Sequence, residues 1–213
     1  MAQPISLKEA ERKAFRTTHS DGLWDIFLGC FFLMFVIALY LSPSLGDFWS
    51  SVVFLPFLGL VYLVIWLVRK YVVTPRIGLV KFGRARKTRL AKFTLVMLLV
   101  NIFAFVLGLV AALNFGRVPG QMMSIIMGMI LLIGFSLAAY FLDFSRLYLY
   151  GLLVGLSPLV GEWLWNLGYV THHGFPVTFG TASGIMILFG LVIFIRLLVT
   201  NPIPVENIPT EGA

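Results

Sequence analysis

The chain has 213 residues, of which 60% are hydrophobic and 12% charged, and it carries a formal net charge of +7. A soluble domain carries roughly a quarter charged residues; here the charges gather at the N-terminus and in one central stretch, with long apolar runs between them. Runs of about 18 or more apolar residues cross a bilayer core, and several of them leave no room for a separate soluble domain, so composition predicts one membrane domain. A disulfide framework is excluded because Cys30 is the single cysteine, and its place in an apolar run reads as a small packed thiol. The excess of cations fits loops retained in the cytoplasm. It does not point to nucleic acid, because no recognition module accompanies it.

In chain order, residues 5–20 read as a helix. Ser6-Leu7-Lys8-Glu9 has the spacing of a capping box, and Lys8, Arg12, Lys13 and Arg16 follow. This is an amphipathic helix on the inner leaflet or a solvated helical tail. No cleavable signal peptide is apparent, so the first span is expected to stay as an anchor. Six transmembrane helices are predicted over residues 23–41, 52–68, 91–113, 122–142, 147–167 and 179–199. The fold class is therefore an all-α polytopic membrane protein, with a segment 1–22, a six-helix domain 23–199 containing a basic loop 69–90, and a tail 200–213. Asn201-Pro202-Ile203-Pro204 cannot continue a helix.

Charge orients the spans. With both termini cytoplasmic, all 16 Lys and Arg residues except Arg117 fall on the inner side, as the positive-inside rule requires. That topology predicts the cell membrane, with anionic lipids at the cytoplasmic face. Trp24 and Trp66 then lie near inner boundaries, and Trp49, Trp163 and Trp165 near outer ones, where such rings are enriched. Ile26-x-x-Gly29-x-x-x-Leu33 echoes Ile125-x-x-Gly128-x-x-x-Leu132, the mark of two inverted three-helix halves or a chance match of apolar sequences.

The fifth span carries the most chemistry. Gly151, Gly155, Glu162 and Asn166 fall on one helical face, and Gly151-x-x-x-Gly155 permits a close helix approach. Ser157-Pro158 is expected to bend the helix and free a carbonyl. An ionisable group within a span is a functional candidate, so Glu162 is either a site residue or an interfacial carboxylate with a structural hydrogen bond. His172-His173 follow in the outer loop; with no third ligand at a known spacing they read as a solvated loop, and no metal is assigned. Asp25 with Arg196, and Asp143 with Arg146, are expected to serve as structural charge pairs near the inner boundary. Asn101 stands near the middle of the third span, bonding a neighbouring helix or a substrate.

The loop sequence over 71–82 is rich in β-formers around Pro75 and Gly78 and predicts a short strand or hairpin. Arg84, Arg86, Lys87 and Arg89 then present topogenic charge for anionic lipids or an acidic partner. There is no Walker A loop, no His-Glu-x-x-His, no nucleophile elbow and no facing pair of intramembrane histidines for haem. Hence no catalytic residue and no cofactor is assigned. Asp21-Gly22-Leu23-Trp24-Asp25-Ile26-Phe27-Leu28-Gly29 and Thr74-Pro75-Arg76-Ile77-Gly78-Leu79-Val80-Lys81-Phe82 resemble stretches in uncharacterised prokaryotic multi-pass membrane proteins; the resemblance implies no activity. Three readings follow. The first is a non-catalytic accessory, scaffold or interaction subunit, with a membrane-protein partner or as a homo-oligomer. The second is a small transporter or channel with a polar site around Glu162, Asn166, Asn101 and Ser157. The third is a membrane enzyme acting on a lipid substrate.

Overall fold

The computed structural model describes residues 21–77, 84–113 and 119–202. The expected N-terminal amphipathic helix and most of the C-terminal tail lie outside these residues. The described chain is helical throughout its regular structure. In order it comprises α1 (Leu23–Leu45), α2 (Asp47–Val52), α3 (Phe54–Val68), a π-helical turn (Arg69–Val73), α4 (Thr74–Ile77), α5 (Arg84–Leu113), α6 (Gly120–Leu142), α7 (Arg146–Asn166), a 3-10 turn (His172–Gly174) and α8 (Phe175–Thr200). Six helices are long and apolar enough to cross a membrane: Leu23–Leu45, Phe54–Arg76, Thr88–Val110, Gly120–Leu142, Arg146–Asn166 and His172–Thr200.

The loop between the second and third spans departs from the sequence expectation. Through Ile77 it is helix, not strand. Pro75 has no N–H to donate, and it falls in the first turn of α4, where that loss is tolerated. The preceding π turn adjusts the register: the Thr74 N–H and its hydroxyl both donate to the Arg69 carbonyl, the hydroxyl at 2.8 Å. On the other side, α5 begins at Arg84 and so absorbs much of the expected loop; Arg, Lys, Ala and Leu are all strong helix formers. At the other end of the first span, α1 runs through Pro43 to Leu45. Gly46 stops it at φ 81°, with its N–H bonded to the Ser42 carbonyl.

Packing orders the spans as α3, α1, α8, α7, α6, α5. The middle four form the core, where Phe32, Ala139, Phe144, Leu147, Tyr150, Val154, Phe179, Ala182 and Met186 make one buried cluster. Phe32 of α1 stacks on Phe179 of α8 at 5.9 Å with the rings 5° from parallel. Glycines set the closest approaches. A Cβ on Gly128 would collide with the Gly155 carbonyl oxygen, and one on Gly29 would lie 2.6 Å from Ile187 and 3.0 Å from the Ser183 carbonyl. The two echoed motifs therefore do the same job, Gly29 seating α1 on α8 and Gly128 seating α6 on α7. An inverted repeat of three-helix halves would instead pair α6 with α5, as α1 pairs with α8; the α5–α6 contact is among the slighter ones.

The two end helices are held differently. No residue of α3 is buried, nor is any in the most apolar window of Thr88–Val110, whereas half of the α7 window is. Much of the α3 and α5 surface is thus apolar and uncovered, including Leu55, Leu60, Leu63, Leu98, Phe103 and Phe105.

Candidate functional site

Polar chemistry gathers at both ends of the bundle. At the end rich in arginine, three aspartates just outside or at the tips of helices meet three arginines across helix boundaries. Asp21 accepts the Leu23 N–H at 3.1 Å and pairs with Arg69 at 3.0 Å, joining the entry to α1 to the turn after α3. Asp25 lies 2.8 Å from Arg146, joining α1 to α7. Asp143 lies 2.9 Å from Arg89, joining the end of α6 to α5, and Arg89 also donates to the Tyr140 carbonyl. Asp25 is wholly buried. Its approach to Arg146 is close but off-line for a hydrogen bond, and the buried Tyr150 hydroxyl lies beside the same carboxylate.

These contacts redraw the expected pairs. Asp25 is matched with Arg146, not with Arg196, which is exposed on α8. Asp143 reaches Arg89, fifty-four residues away in sequence. Asp143 closes α6 in a left-handed conformation at φ 51°, and from there its carboxylate meets Arg89 of α5. Asp21, Arg69 and Tyr150 were not singled out in the sequence. The signal for Asp21 is an Asp-Gly directly before an apolar run. Burial pushes the Asp21 carboxyl above its usual range, and the neighbouring Arg69 guanidinium only partly offsets this.

At the opposite end, Glu162 is buried and His173 Nδ1 lies 2.8 Å from its Oε2. The carboxylate accepts, so Nδ1–H donates. The other oxygen rests against Gly120, where a Cβ would collide with it, so the charge sits at the first residue of α6. A carboxylate is favoured there by the helix dipole and by unbonded N–H groups. His173 adopts φ 52°, unusual for a residue with a side chain. Its ring packs on Trp165 at 4.2 Å. Such a conformation persists where the surroundings over-determine it, and here they do: a Cβ on Gly174 would lie 2.5 Å from the Gly161 carbonyl oxygen, so the turn lies flat on α7. The clasp thus binds the start of α6, the end of α7 and the entry to α8. Among the described residues, no three His, Cys, Asp or Glu side chains come together. His172 bonds Thr171 instead.

The remaining candidates do not join Glu162. Ser157 is buried one and a half turns below it and donates to the Leu153 carbonyl at 2.8 Å, with the Thr178 carbonyl of α8 at 3.5 Å. The helix runs unbroken through Pro158. Asn166, on the last residue of α7, is exposed: the shared face of Gly151, Gly155 and Glu162 holds only as far as α6 extends to cover it. Asn101 is exposed on α5 and donates to the Met97 carbonyl of its own helix at 2.8 Å. The side chains of Arg84, Arg86 and Lys87 fall outside the described residues; Arg89 is taken up by Asp143.

Comparison of the chain with protein-family models, with curated proteins and with solved structures found no match in any of the three. The functional reading therefore rests on the geometry of these residues alone.

Proposed function

We propose that this protein is a non-catalytic accessory or scaffold subunit of the cell membrane, both termini cytoplasmic, whose peripheral helices α3 and α5 are its interaction surfaces. The observation that carries the reading is the contrast in holding. The four central helices interlock through glycines and a buried cluster. By contrast, α3 and α5 bury almost nothing; among the described residues, ring contacts such as Phe54 with Phe31 and Phe93 with Phe141 hold them to that core, with the pairs Arg69–Asp21 and Arg89–Asp143 at one end. The arginine–aspartate pairs among the described residues lie at one end, which supports assigning that end to the cytoplasm by the positive-inside rule. Anionic head groups would meet the cations there. Purification in mild detergent is expected to recover a homo-oligomer or a stoichiometric membrane-protein partner, and a lone monomer would count against the reading.

The Glu162–His173 contact favours a second reading, a small transporter whose polar site uses that pair. It has less support, because Asn101 and Asn166 are exposed and Asn101 is bonded within its own helix. Loss of transport in Glu162→Gln with folding intact would establish it. An enzyme site gains no support from Asp25 and Asp143, each of which lies against an arginine.

A further inference from the structure

We propose that the partner at α5 is a second copy of this chain, and that two α5 helices pair about a twofold axis through Asn101. The inference rests on the scaffold reading above and names the occupant of one of its two surfaces. The midpoint of Thr88–Val110 is near Leu99, so Asn101 lies about 3 Å along the helix from it. An exposed amide at that depth faces hydrocarbon, not water. It gives one N–H to Met97; an amide has two N–H donors and an acceptor oxygen, and among the described residues nothing takes the second hydrogen or fills the oxygen.

What satisfies those groups must offer one donor and one acceptor at the same depth. A copy of Asn101 does both. Copies in one membrane share orientation, so a twofold axis along the membrane normal brings residue 101 opposite residue 101, with each amide donating to the other. The flanking residues fit this. Thr94 and Gly108 are each seven residues from Asn101, which places all three along the seam of a left-handed helix pair. All three are exposed. Gly108 has open space where a Cβ would be, so among the described residues its bareness serves no internal contact, and it permits a close approach from outside. The seam lies about a quarter turn around α5 from Phe93, Val100 and Leu107, the half-buried side that includes the Phe93–Phe141 contact with α6. Pairing would therefore leave the α5–α6 contact intact.

The test uses the full chain in native membranes with Cys30→Ser, which removes the single cysteine. Gly108→Cys and Thr94→Cys are expected to form disulfide-linked dimers on oxidation. Leu99→Cys, exposed on the far side of α5, is expected not to. Adding Asn101→Leu should weaken pairing roughly 3- to 30-fold, the range for an interhelical amide bond in a membrane, while the monomer keeps its fold because, among the described residues, the exposed Asn101 hydrogen-bonds only within its own helix. Linking of Leu99→Cys as readily as of Gly108→Cys overturns the proposal. A chain that forms no self-link but retains a different stoichiometric membrane partner overturns self-pairing and leaves the scaffold reading standing. A monomer with neither overturns both.

Discussion

The Asp25–Arg146 contact gives the strongest stability prediction. Two unit charges about 4 Å apart attract by about 4 kcal/mol at an effective dielectric of 20. Desolvating the fully buried Asp25 carboxylate opposes much of that, so the pair is worth less than its Coulomb energy. Removing one partner is a different matter, because the other is then left buried and uncompensated, at about 3–5 kcal/mol. Arg146 keeps 26% of its side chain exposed, so water moderates the loss. Asp25→Asn and Arg146→Met should each cost about 2–3 kcal/mol, with a coupling of about 2 kcal/mol in the double-mutant cycle. Arg196→Met, at an exposed site, should stay within about 0.5 kcal/mol. Reversible unfolding in mixed micelles measures all four variants. If the two losses simply add, or if Arg196→Met costs as much as Arg146→Met, the pairing derived from the structure is wrong.

Further predictions concern the other contacts. Gly128→Val should destabilise the bundle by about 1–3 kcal/mol, because its side chain meets the Gly155 backbone; Gly59→Val, pointing into open space, should leave the melting temperature unchanged after the small cost of the β-branch is allowed for. His173→Ala should lower thermal stability by more than His173→Gly, because φ 52° suits glycine and both variants lose the bond to Glu162 equally. Asp21 contributes a pH dependence of known sign. Its folded carboxyl titrates above the ordinary 3.8, so between those values the folded state holds the extra proton. Its stabilising contribution is full below 3.8 and is lost as pH rises through the folded value. Melting curves from pH 4 to 7 should show a component falling with pH that Asp21→Asn abolishes; an unchanged slope in that variant would refute the assignment.

Six spans were legible in the sequence because a bilayer imposes a crude requirement, enough apolar residues in a row, that any packing must satisfy. The boundaries moved where helix propensity or a proline-tolerant turn extended a span: α5 back to Arg84, α1 through Pro43, and the chain past Arg69 to Ile77. Glu162 was legible as well, since an ionisable residue on a glycine-lined face is conspicuous. Its partner His173 was visible only as a loop residue, because eleven positions in sequence say nothing of a left-handed turn folded back on Gly161.

Composition and hydropathy thus determine six helices long and apolar enough to cross a membrane, since both depend on local sequence and a known solvent. Tertiary structure alone decides which charge meets which. Asp25 and Arg146, or Asp143 and Arg89, are joined by the order in which helices pack, and that order follows from where glycines let backbones touch. The same order leaves Asn101 on the outside of α5, so a residue that reads as an internal hydrogen-bonding partner becomes one that faces whatever lies beside the protein.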